Sequence, residues 1–212
     1  QELERTIPRF GKFIDLAAGR EIGNLEKEFI ISGNGLQFTA DSFQAGNIPA
    51  ALTAYQRAIE ADPNNVELYA ELARIQVYSS TVLSTDADRR QRLQEAREVS
   101  EKAVAMAPQS SLAAAINAFV LNWNANPTLY DADTTQKTLL KAELEAVRAL
   151  NLDKNNTLAM AYYAEILTDQ QKIVQARQYI QQALATGEEV MDVHRVLAYV
   201  NESEGNYGEA IQ

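Results

Sequence analysis

The 212 residues carry 46% hydrophobic and 23% charged side chains, enough to bury a core in one domain or two small ones. The 19 basic and 29 acidic side chains leave a net charge of −10, which argues against nucleic acid as a partner and disfavours an anionic membrane surface. With no cysteine and a single histidine, His194, the chain has no disulfides, no thiolate nucleophile, no cysteine zinc site and no paired-histidine metal site.

At the start of the chain, Leu3, Ile7, Phe10, Ile14 and Ala17 have helical spacing, interrupted by Pro8 and Gly11. Glu21 to Ile31 offers a second helical stretch. Residues 1–31 are therefore expected to form a helical cap or tether. The first residue is Gln1 and the last eight read as a turn and the start of a helix, so the natural protein is expected to extend further. No run of about 18 apolar residues occurs, so no direct membrane insertion is expected within this segment.

From residue 32 onward the chain obeys a ruler made of small residues. The phrase around Ala58 is an amphipathic helix stopped by Asp62-Pro63-Asn64-Asn65, where proline and asparagine favour a turn. Similar phrases surround Ala103, Ala149 and, more loosely, Ala183. Each is followed 15 residues later by another alanine, at Ala73, Ala118, Ala164 and Ala198. The undisturbed period is 34, from Ala142 to Ala176 and on to Ala210. In the two middle units 11 and 12 extra residues fall between the two helices and nowhere else.

This period resembles the tetratricopeptide repeat (TPR), a helix–turn–helix unit with small residues where its helices cross. The matching residues are Gly46-Asn47-Ile48 with Ala51, Tyr55, Ala58 and Pro63, then Gly205-Asn206-Tyr207 with Ala210. Asn117 stands where the family has a bulky residue, and Lys154 where it has the closing proline. The resemblance implies an all-α fold, a right-handed α-α superhelix (TPR solenoid) of stacked antiparallel helix pairs. Units are expected at about 32–65, 66–110, 111–156, 157–190 and an incomplete 191–212.

The two long connections are Ser79–Arg90 and Asn124–Gln136. They share Asp86-Ala87-Asp88 and Asp131-Ala132-Asp133, 45 residues apart. Calcium needs more oxygen ligands than these supply, so helix capping is the expected role, by Asp88 and by Asp133-Thr134-Thr135-Gln136. The insertions are expected to lengthen the second helices by a turn or two, with their apolar residues packed on neighbours. Neither a phosphate-binding glycine loop nor a nucleophile beside His194 is recognisable, so the segment is expected to be non-enzymatic, with no cofactor and no metal.

The resemblance further implies a concave groove lined by the first helices of the units. Carried over position by position, partner-binding residues are Arg74 and Tyr78, then Phe119, Asn122 and Trp123, then Glu165, and finally Arg195 and Tyr199. Arginine and aromatic side chains are enriched at interaction hot spots. A second reading for Tyr78 and Trp123 is packing under the insertions, and packing is equally open for Phe119 and Tyr199. Thus the expected function is a scaffold that binds a peptide or protein partner in the groove. The alternatives are a self-association module or structural arm of a larger multidomain or membrane-tethered protein, and an array that locates a catalytic domain elsewhere. A homo-oligomer is compatible with these readings, and the compartment is not indicated.

Overall fold

Every described element is helical, because alanine-rich segments with apolar residues every three or four positions can bury a stripe only as helices. The computed structural model describes residues 48–188 and 190–210. The cap expected at residues 1–31, and the first helix of the first unit, lie outside the described residues. The helices are α1 (Ile48–Ala61), α2 (Val66–Ser80), α3 (Asp86–Met106), α4 (Ser111–Asn124), α5 (Ala132–Leu152), α6 (Thr157–Asp169), α7 (Ile173–Ala185), α8 (Met191–Ser203) and the short α9 (Tyr207–Ala210). The most extensive packing joins α2 to α3, α4 to α5 and α6 to α7. The inner row α2, α4, α6 and α8 also packs neighbour on neighbour, which makes the chain a solenoid of helix pairs.

The small residues sit where the helices cross. Ala73, Ala96, Ala103, Ala118, Ala142, Ala149, Ala164, Ala176 and Ala183 are all fully buried. A methyl group at each crossing lets the axes approach closely. Where Asn117 replaces the bulky residue, its Oδ1 accepts a hydrogen bond from the buried Ser100 hydroxyl at 2.9 Å. A polar pair thus substitutes for an apolar contact.

The turn phrases do double duty. Asn65, Ser110 and Asn156 cap the N-termini of α2, α4 and α6 by accepting the backbone N–H groups of Glu67, Ala113 and Ala159. At the end of α8 the Gly205 and Asn206 N–H groups bond back to the carbonyls of Glu202 and Asn201, with Gly205 at φ +79°. Gln171 takes the same left-handed conformation, φ +62°, at the end of α6, 34 residues earlier.

The insertions become loops followed by long outer helices. α3 and α5 have 21 residues each, against 14 in α1 and 13 in α7. The caps fall earlier than the sequence suggested. Thr85, not Asp88, caps α3, and Asp131, ahead of Asp133, caps α5 by accepting the N–H of Thr134. Asp88 instead accepts the Thr85 hydroxyl, while Asp133 pairs with Lys137 one turn on. The backbone N–H of Thr134, and after it the Thr134 hydroxyl, hold the Asp131 carboxyl below its usual range. Leu129 is buried as expected, whereas Val82 stays 53% exposed. The two insertions touch, with Arg90 Nη1 donating to the Leu129 carbonyl.

Candidate binding face

The four inner helices run side by side in one direction, since each alternates with an outer helix of opposite sense. Positions four apart on each therefore project onto a common concave surface. An aromatic floor forms first. Phe119 on α4 stacks on Tyr162 of α6, with Tyr78 of α2 tilted against it at 5.5 Å and Trp123 edge-on at 6.0 Å. Phe119 and Tyr162 are fully buried.

Charged groups close over that floor. The Asp192 carboxylate of α8, with no exposed surface, accepts Arg74 Nη1 at 3.1 Å and the Tyr78 hydroxyl, both from α2. Arg195 grips Glu165 of α6 through two parallel hydrogen bonds of 2.8 and 2.7 Å. Its guanidinium lies over the rings of Phe119 and Tyr78. Asp169, at the end of α6, accepts Tyr199 Oη at 2.6 Å and Asn122 Nδ2 at 2.7 Å. Glu71 pairs with Arg74 from one turn away.

Burial raises the Tyr78 and Tyr162 hydroxyl pKa values well above normal, and the nearby Asp192 carboxylate adds to this. Burial also raises the Asp169 carboxyl, against the lowering effect of its Tyr199 and Asn122 hydrogen bonds. Tyr199 is raised by burial and by donating to Asp169.

The structure therefore brings all eight sequence-derived residues to one face. It does not leave them equally reachable. Arg74, Tyr78, Phe119, Asn122 and Glu165 are buried, mostly against each other. Trp123, Arg195 and Tyr199 are half-exposed and form the reachable rim, together with Asp169. The packing left open for Phe119 is against Tyr162 and Tyr78. Two participants escaped sequence reasoning as site residues. Nothing in the sequence marks Asp192 as the shared acceptor. Tyr162 carries no sequence signal, since it stands two residues before the crossing residue Ala164 and three before Glu165. His194 lies exposed on α8. Among the described residues no group of three or more His, Cys, Asp or Glu side chains is placed to hold a metal ion, and no helix is long and apolar enough to cross a membrane.

A TPR repeat model matches residues 42–77, and a tetratricopeptide repeat model matches residues 164–212. The chain is similar in fold to a thermophilic TPR protein of Thermus thermophilus, at 20% identity over 82% of this chain and 84% of that one, TM-score 0.64. Weaker likenesses include MamA, with 18% identity, 82% and 88% coverage and TM-score 0.46. YrrB, a TPR protein with an unusual peptide-binding site, gives 16% identity, 95% and 87% coverage and TM-score 0.41. No curated protein matches the chain. The fold defines a helical-repeat protein of the α-solenoid class. The chain carries tetratricopeptide repeat sequence at residues 42–77 and 164–212, within that solenoid.

Proposed function

We propose that this chain is a non-enzymatic interaction scaffold whose concave face receives a peptide or partner segment. TPR proteins as a class are scaffolds for protein partners, and the face described above supplies what such a contact uses. The observation that carries the reading is the convergence of Trp123, Arg195 and Tyr199 from α4 and α8 on one half-exposed rim above a rigid aromatic floor. Half-buried aromatics and arginine offer large contact area at small loss of conformational freedom. The buried residues beneath act as support: Phe119, Tyr78, Arg74 and Glu165 hold the rim residues in place. Units of helix pairs bounded near residues 65, 110, 156 and 190 remain the working division of the chain.

The test compares the chain with a Trp123→Ala/Tyr199→Ala variant, both immobilised, against a library of short peptides. Peptides retained by the wild type and released by a variant with unchanged helical content support the rim. Equal retention by both would move the site off the concave face.

Self-association is the second reading, favoured by a single observation. Leu140, Leu144 and Val147 form an exposed apolar stripe along one face of α5, at 52%, 69% and 38% exposure. A mass that rises with concentration, and falls to the monomer value in Leu140→Glu/Leu144→Glu, would support it. A monomer at every concentration rules it out.

A further inference from the structure

We propose that the mouth of the concave face at Asp169 is a docking site for a cationic side chain, a lysine or arginine carried on a peptide segment of the partner. This rests on the groove reading above and adds the chemistry of the residue that enters.

Asp169 is a carboxylate without a counter-charge. Its two hydrogen-bond donors, Tyr199 and Asn122, are neutral, and it takes part in no ion pair among the described residues. Arg195 is held bidentately by Glu165. Asp169 nevertheless keeps an exposed side from which a ligand can approach.

A second observation points the same way from a different side chain. Asn122 is only 6% exposed and spends its amide N–H on Asp169. The carbonyl end of that same amide is buried and has no donor. A buried acceptor left open is rare, because its lost hydration must be replaced. Trp123, next in the chain, has a buried indole N–H with no acceptor. The set lacks a counter-charge for Asp169, a donor for Asn122 and an acceptor for Trp123. A lysine or arginine supplies the donors with the charge, and the peptide backbone that carries it supplies a carbonyl. A bare amine would supply only the first.

The field agrees. Arg74 and Arg195 stand against Glu71, Glu165, Asp169 and Asp192, an excess of two negative charges on this face. Side-by-side α4, α6 and α8 end at Asn124, Asp169 and Ser203, so three helix C-termini add partial negative charge at the same edge.

The test titrates the chain with an acetylated, amidated tetralysine peptide and with its uncharged counterpart in which each lysine is Nε-acetylated. Fluorescence of Trp123, the single tryptophan, and calorimetry read binding. Saturable binding of tetralysine alone, weakened at least tenfold by Asp169→Asn and less than twofold by Asp133→Asn, is expected. Asp133 lies on the exposed first turn of α5 and reports attraction by the overall charge. The proposal is overturned if tetralysine does not bind, if Asp169→Asn binds as the wild type, or if both variants weaken alike. Melting curves confirm that Asp169→Asn is folded. A library peptide lost by Trp123→Ala/Tyr199→Ala but kept by Asp169→Asn would leave the groove reading standing and remove the cation site. One kept by both would remove the groove reading itself.

Discussion

The Phe119 ring lies on the Tyr162 ring with centroids 4.5 Å apart and planes 21° from parallel, and neither ring has exposed surface. A residue expected to touch a partner is thus the floor beneath Trp123 and Arg195. Phe119→Ala opens a cavity between α4 and α6 and is expected to destabilise the fold by about 3–5 kcal/mol in urea unfolding. A loss under about 1 kcal/mol would mean that the floor is not packed as described.

Arg74 and Asp192 form a buried ion pair between helices that are far apart in sequence. Removing Asp192 leaves the buried Arg74 with Glu71 alone, and takes away the acceptor of the Tyr78 hydroxyl. Asp192→Ala is expected to lose about 3–5 kcal/mol, while the double change Arg74→Met/Asp192→Leu loses clearly less than the sum of its singles. Additive losses in the double-mutant cycle would show that the two residues are not coupled.

Gln171 occupies a left-handed backbone conformation that L side chains rarely adopt. The equivalent place 34 residues later is Gly205. Gln171→Gly is expected to stabilise the protein by about 0.5–1 kcal/mol, seen as a higher melting temperature. A lower one would indicate that the Gln171 side chain contributes more than its backbone costs.

Ala118 and Ala164 are fully buried at helix crossings, on α4 and α6. Ala118→Leu and Ala164→Leu force those helices apart, with an expected loss of roughly 1–3 kcal/mol or more in each. Wild-type melting in both variants would contradict the crossing assignment.

The Glu143 carboxyl is raised by burial, but bonds from Gln170 and from Lys172 outweigh this and hold it below its usual range. The Arg177 contact likewise holds Glu204 down. A depressed folded-state pKa gives stability that is present above the unfolded value, near 4.5 for glutamate, and lost as pH falls through the folded value. The stability curve is therefore expected to drop below about pH 4.5, and Glu143→Gln is expected to flatten part of that drop. An unchanged slope in the variant would show that Glu143 is not among the groups responsible.

The alanine ruler made the solenoid legible, because a crossing tolerates only a small side chain and so writes its period into the sequence. The concave face was legible as positions, since helical geometry fixes which residues share it. Burial within that face was not. Whether Phe119 faces a partner or Tyr162 depends on how tightly the inner row curves, and curvature accumulates from small rotations at each crossing. The caps shifted for a local reason: Thr85 and Asp131 each stand just ahead of the acidic residue that the sequence pattern favoured, and more than one member of such a run satisfies the pattern for a cap.

The link between α2 and α8 skips over α4 and α6. In an array joined only by neighbour contacts, stability adds unit by unit and each end unravels alone. Here α2 and α8 share a fastening, so loosening either one takes a buried partner away from the other. Amide exchange in α2 and α8 is then expected to rise in a single step, and the array behaves less like a spring with free coils than like a closed hoop.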